Sequence, residues 1–540
     1  MNPRIRTAEP AFATVEAAIE AARAARAEGR FDDELAAAQA ASALAPERWD
    51  AWVALAGAAG RARRPELIEQ AQLRALETTT DPAMRSRLSV DLAWTLASNG
   101  RWAEAAALAR EPRPEIEHEP AVRAILGATL AAVGAGAEAA PHVEFAVRAM
   151  PGRPDYWFNL AVLYNSLGRV DEAVAAAERA IQAAPNHAPA YELVGLLQTP
   201  TPERNQVARL QAVRSRMPAG QAAAKLDFAL FKQLDQLGRT DEAWQVLTRA
   251  NETIALGSPW SQADDDALAA AMASAFPRPK TNAAKTGRPR PVFILGLPRT
   301  GTTLVERIFA AHSKVKPLGE LVAFGRAARR GAGADGGPYM DIRVAQAAET
   351  VDWKAVGAEY RAEIDGLAGG AEAITDKMPP NWWYAGAIAA ALPDAVMVHV
   401  RRSPMDTLFG AYKMSFGPVF DWSYRFADLA AHYRIYRRLT DHWRATLGAA
   451  WIDVDYETLV TDPASAVPRL LEACGLPFEE ACLDPHLAEG AVSTPSASQV
   501  REPVTSGKIG SWRRYAVQLE PLKALLHADG WVDDAGDPPS

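Results

Sequence analysis

The sequence predicts a protein in two parts: an all-α solenoid of helical repeats, followed by an α/β domain with a central parallel sheet. In the first part, Gly100, Gly134 and Gly168 recur at intervals of 34 residues, between stretches with the apolar spacing of helices. In the second part, the apolar run 291–297 precedes a glycine-containing loop and another amphipathic stretch, as in a buried parallel strand that leads into a helix. We therefore expect the solenoid over 12–255, a linker over 256–290 and the α/β domain over 291–530.

Length and composition exclude several classes of protein. The 540 residues are 49% hydrophobic and 23% charged, which is ordinary for globular domains and excludes a fibrous or fully disordered chain. A net charge of −8 gives no overall basic field for nucleic acid or anionic membranes. Two cysteines cannot form a disulfide framework, and no apolar run is long enough for a membrane-spanning helix. Because the N-terminus has no apolar leader, the expectation is a cytoplasmic protein.

The clearest repeat unit lies at 154–189 and consists of two amphipathic stretches joined by a Gly-Arg turn. Small residues in each stretch allow two helices to approach closely, and a proline closes the second. The unit resembles a tetratricopeptide repeat through the positions of Trp157, Leu160, Ala161, Tyr164, Gly168, Ala173, Ala180 and Pro185. About six such units are expected over 12–255, and the concave face of such a solenoid often binds peptides or partner proteins.

A loop with the features of an anion site follows the apolar run of the second part. Gly296, Gly301 and Thr303 fit the pattern G-x-x-x-x-G-K followed by Ser or Thr, in which backbone N–H groups and a helix N-terminus bind phosphate. Thr302 stands where that pattern has the lysine that contacts the β- and γ-phosphates. The missing lysine argues against hydrolysis of ATP or GTP and favours a ligand with fewer phosphates and no metal. Arg299 can supply positive charge instead.

The loop sequence PRTGTT at 298–303 resembles the 5′-phosphosulfate loop of sulfotransferases that use 3′-phosphoadenosine 5′-phosphosulfate (PAPS). A tetratricopeptide array ahead of such a domain is similar to a bacterial arrangement of this family. The resemblance implies a sulfotransferase with PAPS as co-substrate and no metal. It also implies that the donor is bound by the loop residues Arg299, Thr300, Gly301, Thr302 and Thr303.

Two further segments carry residues that the resemblance implies to be catalytic. Glu320, in VKPLGELVAF, lies 21 residues after Arg299 and resembles the catalytic base of tyrosylprotein sulfotransferases. Lys377, in AITDKMPPN, matches the family lysine that contacts the transferring sulfate. The order of these segments along the chain is what makes the resemblance specific.

Three later segments imply contacts with the donor nucleotide. In AVMVHVRRSPMDTLFGAYK, Arg402 matches the arginine that holds the 3′-phosphate, and Arg401 is the alternative if the register shifts by one residue. The family has a serine eight residues after this arginine, whereas this chain has Gly410, which leaves Lys413 and Ser415 as alternative contacts. The remaining implied contacts are Tyr456, beside the nucleotide, and two residues of a segment that closes over it, Ser496 and Arg501.

Other polar residues have simpler interpretations. His399 lies within the apolar run AVMVHV and is expected to be a hydrogen-bonded core residue, although some sulfotransferases use histidine as the base. Asp453, Asp455 and Glu457 alternate along a predicted strand, and no histidine joins them at a spacing typical of a metal site. We therefore expect structural roles for these carboxylates.

Three functions remain open from the sequence. The first is a sulfotransferase that acts on a peptide or protein hydroxyl, above all tyrosine, with Glu320 as general base and the repeats as a binding surface. The second is a sulfotransferase for a small molecule or glycan. The third is a non-catalytic scaffold with a decayed nucleotide site, an interpretation favoured by Gly410 and by Ser511, which replaces a lysine that the family often has.

Overall fold

The structure is a computed structural model that describes residues 12–62, 64–277, 289–334, 338–416, 418–488 and 502–539. Its contacts divide the chain into two compact units, with the division between Met150 and Pro151. Each unit is therefore described by itself. The predicted fold class is confirmed: helical repeats precede an α/β domain with a central parallel sheet.

Helical repeats make up the first unit and the beginning of the second. In the first unit the helices are α1 Val15–Ala27, α2 Phe31–Leu44, α3 Trp49–Arg61, α4 Pro65–Thr78, α5 Pro82–Ser98, α6 Trp102–Ala109, α7 Pro120–Ala132 and α8 Gly136–Ala149. In the second unit they are α9 Pro154–Ser166, α10 Val170–Ala183, α11 Ala188–Leu197, α12 Val207–Arg214, α13 Gln221–Gln236, α14 Thr240–Ala255 and α15 Gln262–Ala275.

The glycines that repeat every 34 residues form the turns between helices. Gly100, Gly134 and Gly168 have φ angles of 74°, 80° and 78°, in the left-handed region where a residue without Cβ is unstrained. Small residues also explain the close packing of helix pairs. At Gly127, an added Cβ would lie 2.4 Å from Cγ2 of Val143 on the next helix, so only glycine fits there.

The α/β domain is built on five parallel strands in the order β2-β3-β1-β4-β5. Val292 of β1 pairs with Thr375 of β3 on one side and with Val396 of β4 on the other. With a strand on each side, β1 is itself buried from Pro291 to Leu295, which explains its continuous apolar run. The strands are β1 Arg290–Leu295, β2 Val315–Pro317, β3 Ala373–Asp376, β4 Val396–Arg401 and β5 Trp451–Asp455.

Helices connect and cover the strands of this sheet. One face of the sheet packs Val396, Val398 and Val400 against Val305 and Phe309 in a single apolar core. The helices of this domain are α16 Thr302–Ala310, α17 Ala323–Gly331, α18 Ile342–Gln346, α19 Trp353–Ala368, α20 Ala385–Ala391, α21 Pro404–Tyr412, α22 Phe426–Leu447, α23 Tyr456–Thr461, α24 Pro463–Ala473 and α25 Glu520–Ala528.

The last repeat helices pack directly on the α/β domain within the second unit. The side chain of Asn251 on α14 donates to the backbone oxygen of Tyr412 at 3.1 Å, and Trp244 stacks on the Tyr412 ring at 6.0 Å. Asp235 on α13 accepts hydrogen bonds from the Tyr515 hydroxyl at 2.8 Å and from Arg514 at 2.9 Å. Polar and aromatic contacts therefore join the end of the solenoid to the domain that carries the loop.

The expected linker over 256–290 contains a helix. Helix α15 spans Gln262–Ala275 and buries Leu268 and Met272. Its Asp265 accepts from His432 of α22 at 2.9 Å, which ties this part of the chain to the α/β domain. Its alanine-rich sequence gave no clear apolar stripe, because most of the buried surface comes from small side chains. Among the described residues, no helix has the length and apolar character needed to cross a membrane.

Candidate donor and transfer site

The glycine-containing loop between β1 and α16 has a backbone conformation that depends on its glycines. Gly301 has a φ of 105°, and an added Cβ would lie 2.5 Å from Cδ2 of Tyr456. At Gly296, with a φ of 151°, an added Cβ would lie 2.7 Å from the backbone oxygen of Val400. Arg299 adopts a left-handed φ of 73°, an uncommon conformation for a residue with a side chain. The loop is thus held tightly against β4 and against Tyr456.

The loop ends at the N-terminus of α16, where Thr302 and Thr303 are both buried in the first helical turn. The first N–H groups of a helix have no partner within the helix, and with the helix dipole they favour an anion. Thr300 is buried and donates its hydroxyl to the backbone oxygen of Leu297 at 2.8 Å, which closes the loop on itself. Loop and helix end together thus have the geometry expected of an anion site.

Arg402 lies beside this loop, at the point where β4 ends. Its guanidinium donates to the backbone oxygen of Arg299 at 3.2 Å and to that of Lys508 at 2.7 Å. It also covers the Tyr456 ring, 4.4 Å from the ring centre. The side chain is only 11% exposed, which positions a rigid, charged donor next to the loop.

Arg401, the alternative to Arg402, points elsewhere. Its guanidinium pairs with Asp455 at 2.8 Å, and its side chain is 38% exposed. Successive strand residues face opposite sides of a sheet, so a shift of one residue separates the two arginines. The structure therefore brings Arg402, and not Arg401, to the loop.

Gly410, which departs from the family pattern, lies against the side chain of Arg299. An added Cβ at Gly410 would be 3.0 Å from Cβ and 3.4 Å from Cγ of Arg299. The space beside this turn of α21 is thus filled by an arginine from the loop. Burial, together with the nearby Arg402, lowers the pKa of Arg299 to about 10.

Lys413, one of the alternatives to the missing serine, extends the positive charge around the loop. Its Nζ lies 4.4 Å from the centre of the Phe409 ring. Burial lowers its pKa to about 8, a shift to which the charges of Arg299 and Arg402 add. Three cationic side chains are therefore grouped on the β4 side of the loop.

Asp406 connects α21 to a late segment of the chain, and the sequence analysis did not identify it. It is buried on α21 and accepts hydrogen bonds from the backbone N–H of Gly510 at 2.7 Å, the backbone N–H of Trp512 at 3.3 Å and the hydroxyl of Ser511 at 3.2 Å. The same carboxylate lies 3.6 Å from Arg402. Asp406 thus holds the late segment around Ser511 next to the loop. Two predicted contacts of this segment, Ser496 and Arg501, lie outside the described residues.

Glu320 and Lys377 meet on the other side of the loop, beyond the ends of β2 and β3. Nζ of Lys377 donates to a carboxylate oxygen of Glu320 in an ion pair. The Lys377 side chain is fully buried, whereas that of Glu320 is 41% exposed. The backbone N–H of Lys377 also donates to the oxygen of Gly319 at 2.9 Å. The two predicted catalytic residues are thus in direct contact, and the carboxylate can be reached from solvent.

Glu306 on α16 supports the chain around the pair of Glu320 and Lys377, and the sequence analysis did not identify it. It is buried on α16 and accepts from the backbone N–H of Gly319 at 3.1 Å and from the Thr375 hydroxyl at 3.5 Å. Burial raises the pKa of its carboxyl group. An acidic residue in a buried helix with apolar neighbours is the signal that could have identified it. By accepting from the backbone N–H of Gly319, Glu306 fixes the chain next to Glu320.

Asp376, the residue before Lys377, belongs to a buried hydrogen-bond network. It accepts from the Tyr360 hydroxyl at 3.1 Å and from the side chain of Asn381 at 3.5 Å, and the Tyr339 hydroxyl donates to Asn381 at 2.6 Å. Burial raises the pKa of Asp376 well above its usual range. This network fixes the end of β3, from which Lys377 extends.

His399 is a core residue with both ring nitrogens hydrogen-bonded. Nδ1 lies 2.7 Å from a carboxylate oxygen of Asp453, and Nε2 contacts the Tyr436 hydroxyl. Burial lowers the pKa of this histidine. Burial alone would raise the pKa of Asp453, but the hydrogen bonds from His399 and Arg444 lower it. These contacts leave His399 without a free nitrogen to act as a base.

The alternating carboxylates of β5 also have partners within the protein. Asp453 contacts His399, Asp455 pairs with Arg401, and Glu457 accepts from the backbone N–H of Ser403 at 2.9 Å. In the part of the chain that the structure describes, no three His, Cys, Asp or Glu side chains are grouped as a metal site would require.

Two family models match this chain. The model described as "Sulfotransferase family" matches residues 291–480, which include the loop, Glu320, Lys377, Arg402 and Tyr456. The model described as "Tetratricopeptide repeat" matches residues 130–197. The chain therefore carries tetratricopeptide repeats and a sulfotransferase domain, the type of domain that supports sulfuryl transfer.

Individual relatives and solved structures share 19–28% sequence identity with this chain. An uncharacterized protein of Aquifex aeolicus (strain VF5) is 28% identical over 333 residues, which cover 57% of this chain and 42% of the relative, so the match spans less than half of that protein. The sulfotransferase domain of the Synechococcus PCC 7002 olefin synthase is 20% identical with a TM-score of 0.31, covering 43% of this chain and 91% of that domain. YrrB, a TPR protein with an unusual peptide-binding site, is 19% identical with a TM-score of 0.27, covering 32% and 88%.

Proposed function

We propose that this protein transfers a sulfuryl group from PAPS to an acceptor hydroxyl. The main support is the convergence of four separate chain segments at the carboxyl ends of the parallel strands: the loop, Glu320, Lys377 and Arg402. In open α/β sheets this edge is where ligands bind. Sulfuryl transfer, like phosphoryl transfer, depends mainly on positioning and charge stabilisation, and this edge offers groups for both.

The donor nucleotide has candidate contacts on the loop and on the β4 side. Backbone N–H groups of the loop and the hydroxyls of Thr302 and Thr303 would bind the 5′-phosphate. Arg402 would bind the 3′-phosphate through paired N–H groups, as a planar guanidinium does well. Tyr456 would lie beside the nucleotide. The remaining proposed donor contacts are Arg299, Thr300, Gly301, Ser496 and Arg501, the last two of which are outside the described residues.

The transfer step needs a base and a positive charge, which the paired residues would supply. The acceptor oxygen attacks sulfur, and its proton passes to the carboxylate of Glu320. The bond between sulfur and the bridging phosphate oxygen breaks, which releases 3′,5′-adenosine bisphosphate. Lys377 would offset the negative charge that builds up on this bridging oxygen. Glu320 and Lys377 already contact each other, and the Glu320 carboxylate is accessible to an acceptor.

We propose a peptide or protein tyrosine as the acceptor. Solenoids of tetratricopeptide repeats commonly bind peptides, and here the last repeat helices contact the domain that carries the loop. A small molecule or glycan acceptor is the second candidate within the same reaction. A non-catalytic scaffold is the third candidate; Arg299 lies beside Gly410 and Ser511 donates to Asp406, so both departures from the family pattern have a structural role here.

The first test is calorimetric titration of the full chain with 3′,5′-adenosine bisphosphate without added Mg²⁺. We expect binding in the micromolar range, weakened about tenfold or more in Arg402→Ala, since a charged hydrogen bond contributes about 1.5–3 kcal/mol. Arg401→Ala is the matched control, because this neighbouring arginine pairs with Asp455. No binding at millimolar nucleotide, or equal losses in the two variants, would contradict the proposed donor site.

A further inference from the structure

Residues 508–515, just before α25, connect the proposed donor site with the helical repeats, and we call them the bridging segment. At its first residue, the backbone oxygen of Lys508 accepts a hydrogen bond from Arg402 at 2.7 Å. Two residues later, the backbone N–H of Gly510 donates to Asp406 at 2.7 Å. Two side chains of the β4 side therefore hold the first half of the bridging segment.

Tyr515, at the end of the bridging segment, is inserted between the repeats and the α/β domain. Its hydroxyl donates to the carboxylate of Asp235 on α13 at 2.8 Å. Its ring centre lies 6.2 Å from that of Phe231 on α13 and 5.8 Å from that of Trp244 on α14. The ring of Phe409 on α21 is 5.2 Å away. Tyr515 is buried among these neighbours, so its position depends on two repeat helices as well as on α21.

Asp235 makes a second contact with the bridging segment. The guanidinium of Arg514 donates to its carboxylate at 2.9 Å and to its backbone oxygen at 3.0 Å. The charge of Asp235 also opposes the effect of burial on the pKa of Lys413, one of the three cations grouped beside the loop. A single carboxylate of the repeats thus contacts the bridging segment and acts on the charges of the proposed donor site.

The two ends of the bridging segment are linked by a short stretch of regular backbone. Residues Ser511–Tyr515 form a 3-10 helix, whose conformation is stabilised by its own hydrogen bonds. Loss of the contact between Tyr515 and Asp235 would therefore also weaken the hydrogen bond between Lys508 and Arg402. Because Arg402 is proposed to bind the 3′-phosphate, an ordered bridging segment favours the arrangement that the nucleotide needs.

We propose that the helical repeats position the donor site, with Asp235 as a positioning residue that acts through Tyr515 and the bridging segment. The inference rests on the proposed function, because it concerns how tightly the same site binds its nucleotide. It assigns the repeats a role in donor binding in addition to acceptor binding. By linkage, the bound nucleotide would stabilise the contact between α13 and Tyr515 by the same factor by which this contact raises the nucleotide affinity.

The first test is calorimetric titration of the full chain and of Tyr515→Phe with 3′,5′-adenosine bisphosphate. This variant removes one hydroxyl but keeps the ring and the charge of Asp235, and we expect binding about tenfold weaker than in the wild type. Tyr191→Phe is the matched control, since this buried tyrosine of α11 donates to the backbone oxygen of Pro185 within the repeats at 3.1 Å. Unchanged affinity in Tyr515→Phe, or equal losses in the two variants, would overturn the inference.

Hydrogen exchange of the same proteins separates positioning from a purely structural role. We expect the nucleotide to slow amide exchange in the last turn of α13 in the wild type and in Tyr191→Phe, but not in Tyr515→Phe. A purely structural contact would instead give faster exchange in Tyr515→Phe to the same extent with and without nucleotide. Exchange in α13 of the wild type that does not respond to the nucleotide would also overturn the inference.

Arg514→Met is a second, milder variant of the same contact. Arg513→Met is its matched control, because it removes the same charge from the bridging segment, whereas Arg513 pairs with Asp537 at 2.6 Å. An exposed ion pair contributes little, so we expect nucleotide binding about two- to threefold weaker in Arg514→Met alone. Equal affinities in these two variants would contradict the inference. No nucleotide binding by the wild type would contradict the proposed function as well, whereas normal binding by every variant would contradict this inference alone.

Discussion

The two sides of the glycine-containing loop differ in how their charges are balanced. On the side of β2 and β3, Glu320 and Lys377 neutralise each other in an ion pair. On the side of β4, Arg299, Arg402 and Lys413 are grouped near two carboxylates, Asp406, which lies 3.6 Å from Arg402, and Asp235. The described residues thus place one ion pair on the first side and three cations near two carboxylates on the second, where an anion would add stabilisation.

The pKa values reflect the same difference. Burial and neighbouring cations lower the pKa of Arg299 to about 10 and that of Lys413 to about 8. A bound phosphate would stabilise the charged forms of both groups. The β4 side is therefore suited to binding a charged group, and under the proposed function the β2–β3 side would carry out the transfer step.

The largest effect is expected from Glu320→Gln. If the paired carboxylate acts as the base, the substitution should lower kcat for sulfuryl transfer by about 10²–10⁴-fold, the usual contribution of a general base. The affinity for 3′,5′-adenosine bisphosphate should change little, because the proposed contacts of this nucleotide lie on the other side of the loop. Steady-state kinetics and calorimetry measure the two quantities, with the exposed Glu349→Gln as control. A loss of nucleotide binding as large as the loss of turnover would make Glu320 a structural residue.

A smaller effect is expected from Gly410→Ser, which restores the family residue. The new Cβ would lie 3.0 Å from Cβ of Arg299, so the arginine must move away from its position beside the loop. Crowding of this kind costs about 1–3 kcal/mol, and we expect nucleotide affinity to fall about tenfold. Titration of the variant beside Gly152→Ser, where an added Cβ meets nothing within 4 Å, checks this. Tighter binding in the variant would show that Arg299 does not replace the serine.

The smallest effect is expected for the proton uptake that accompanies nucleotide binding. Lys413 titrates near pH 8, and a bound dianion should raise its pKa, so nucleotide binding between about pH 8 and 9 should take up a proton and weaken as the pH rises. The charged groups around it are Asp235, Arg299, Arg402 and Asp406. Calorimetry in buffers of different ionisation enthalpy measures this uptake.

Lys413→Met is the matching variant for this prediction. It should reduce the proton uptake at pH 8.5 and lower the affinity at pH 7 more than at pH 9.5, where the wild-type lysine is already neutral. Burial also lowers the pKa of Lys232 on α13 to about 8, so Lys232→Met is the second variant to test for proton uptake. The same uptake in wild type and in Lys413→Met would assign the titration to another group.

The sequence predicted those features that depend on local pattern. The 34-residue spacing of glycines located the helix turns, and the run before Gly296 located β1, because both signals lie within one element and its neighbours. Glu320, Lys377 and Arg402 could be selected by motif, and the structure brings them to one sheet edge.

Features that depend on contacts across the fold were not predicted. Asp406 and Glu306 are acidic residues within helices, and only the tertiary structure shows that one holds the segment around Ser511 and the other the turn at Gly319. Likewise, the partner of Gly410 is an arginine 111 positions earlier in the chain, which no local pattern could indicate. Helix α15, inside the expected linker, was obscured by its small side chains.

The contacts of the last repeat helices have a consequence for dissecting the chain. Asp235 holds Arg514 and Tyr515, Asn251 holds the end of α21, and Asp265 holds α22, so every helix from α13 to α15 contacts residues that follow β1 in the sequence. A single backbone cut between residues 277 and 289 would therefore produce two fragments that remain associated. The protein would behave as a split protein whose halves complement one another, and separate expression of the sheet domain would expose the aromatic surface that Trp244 covers.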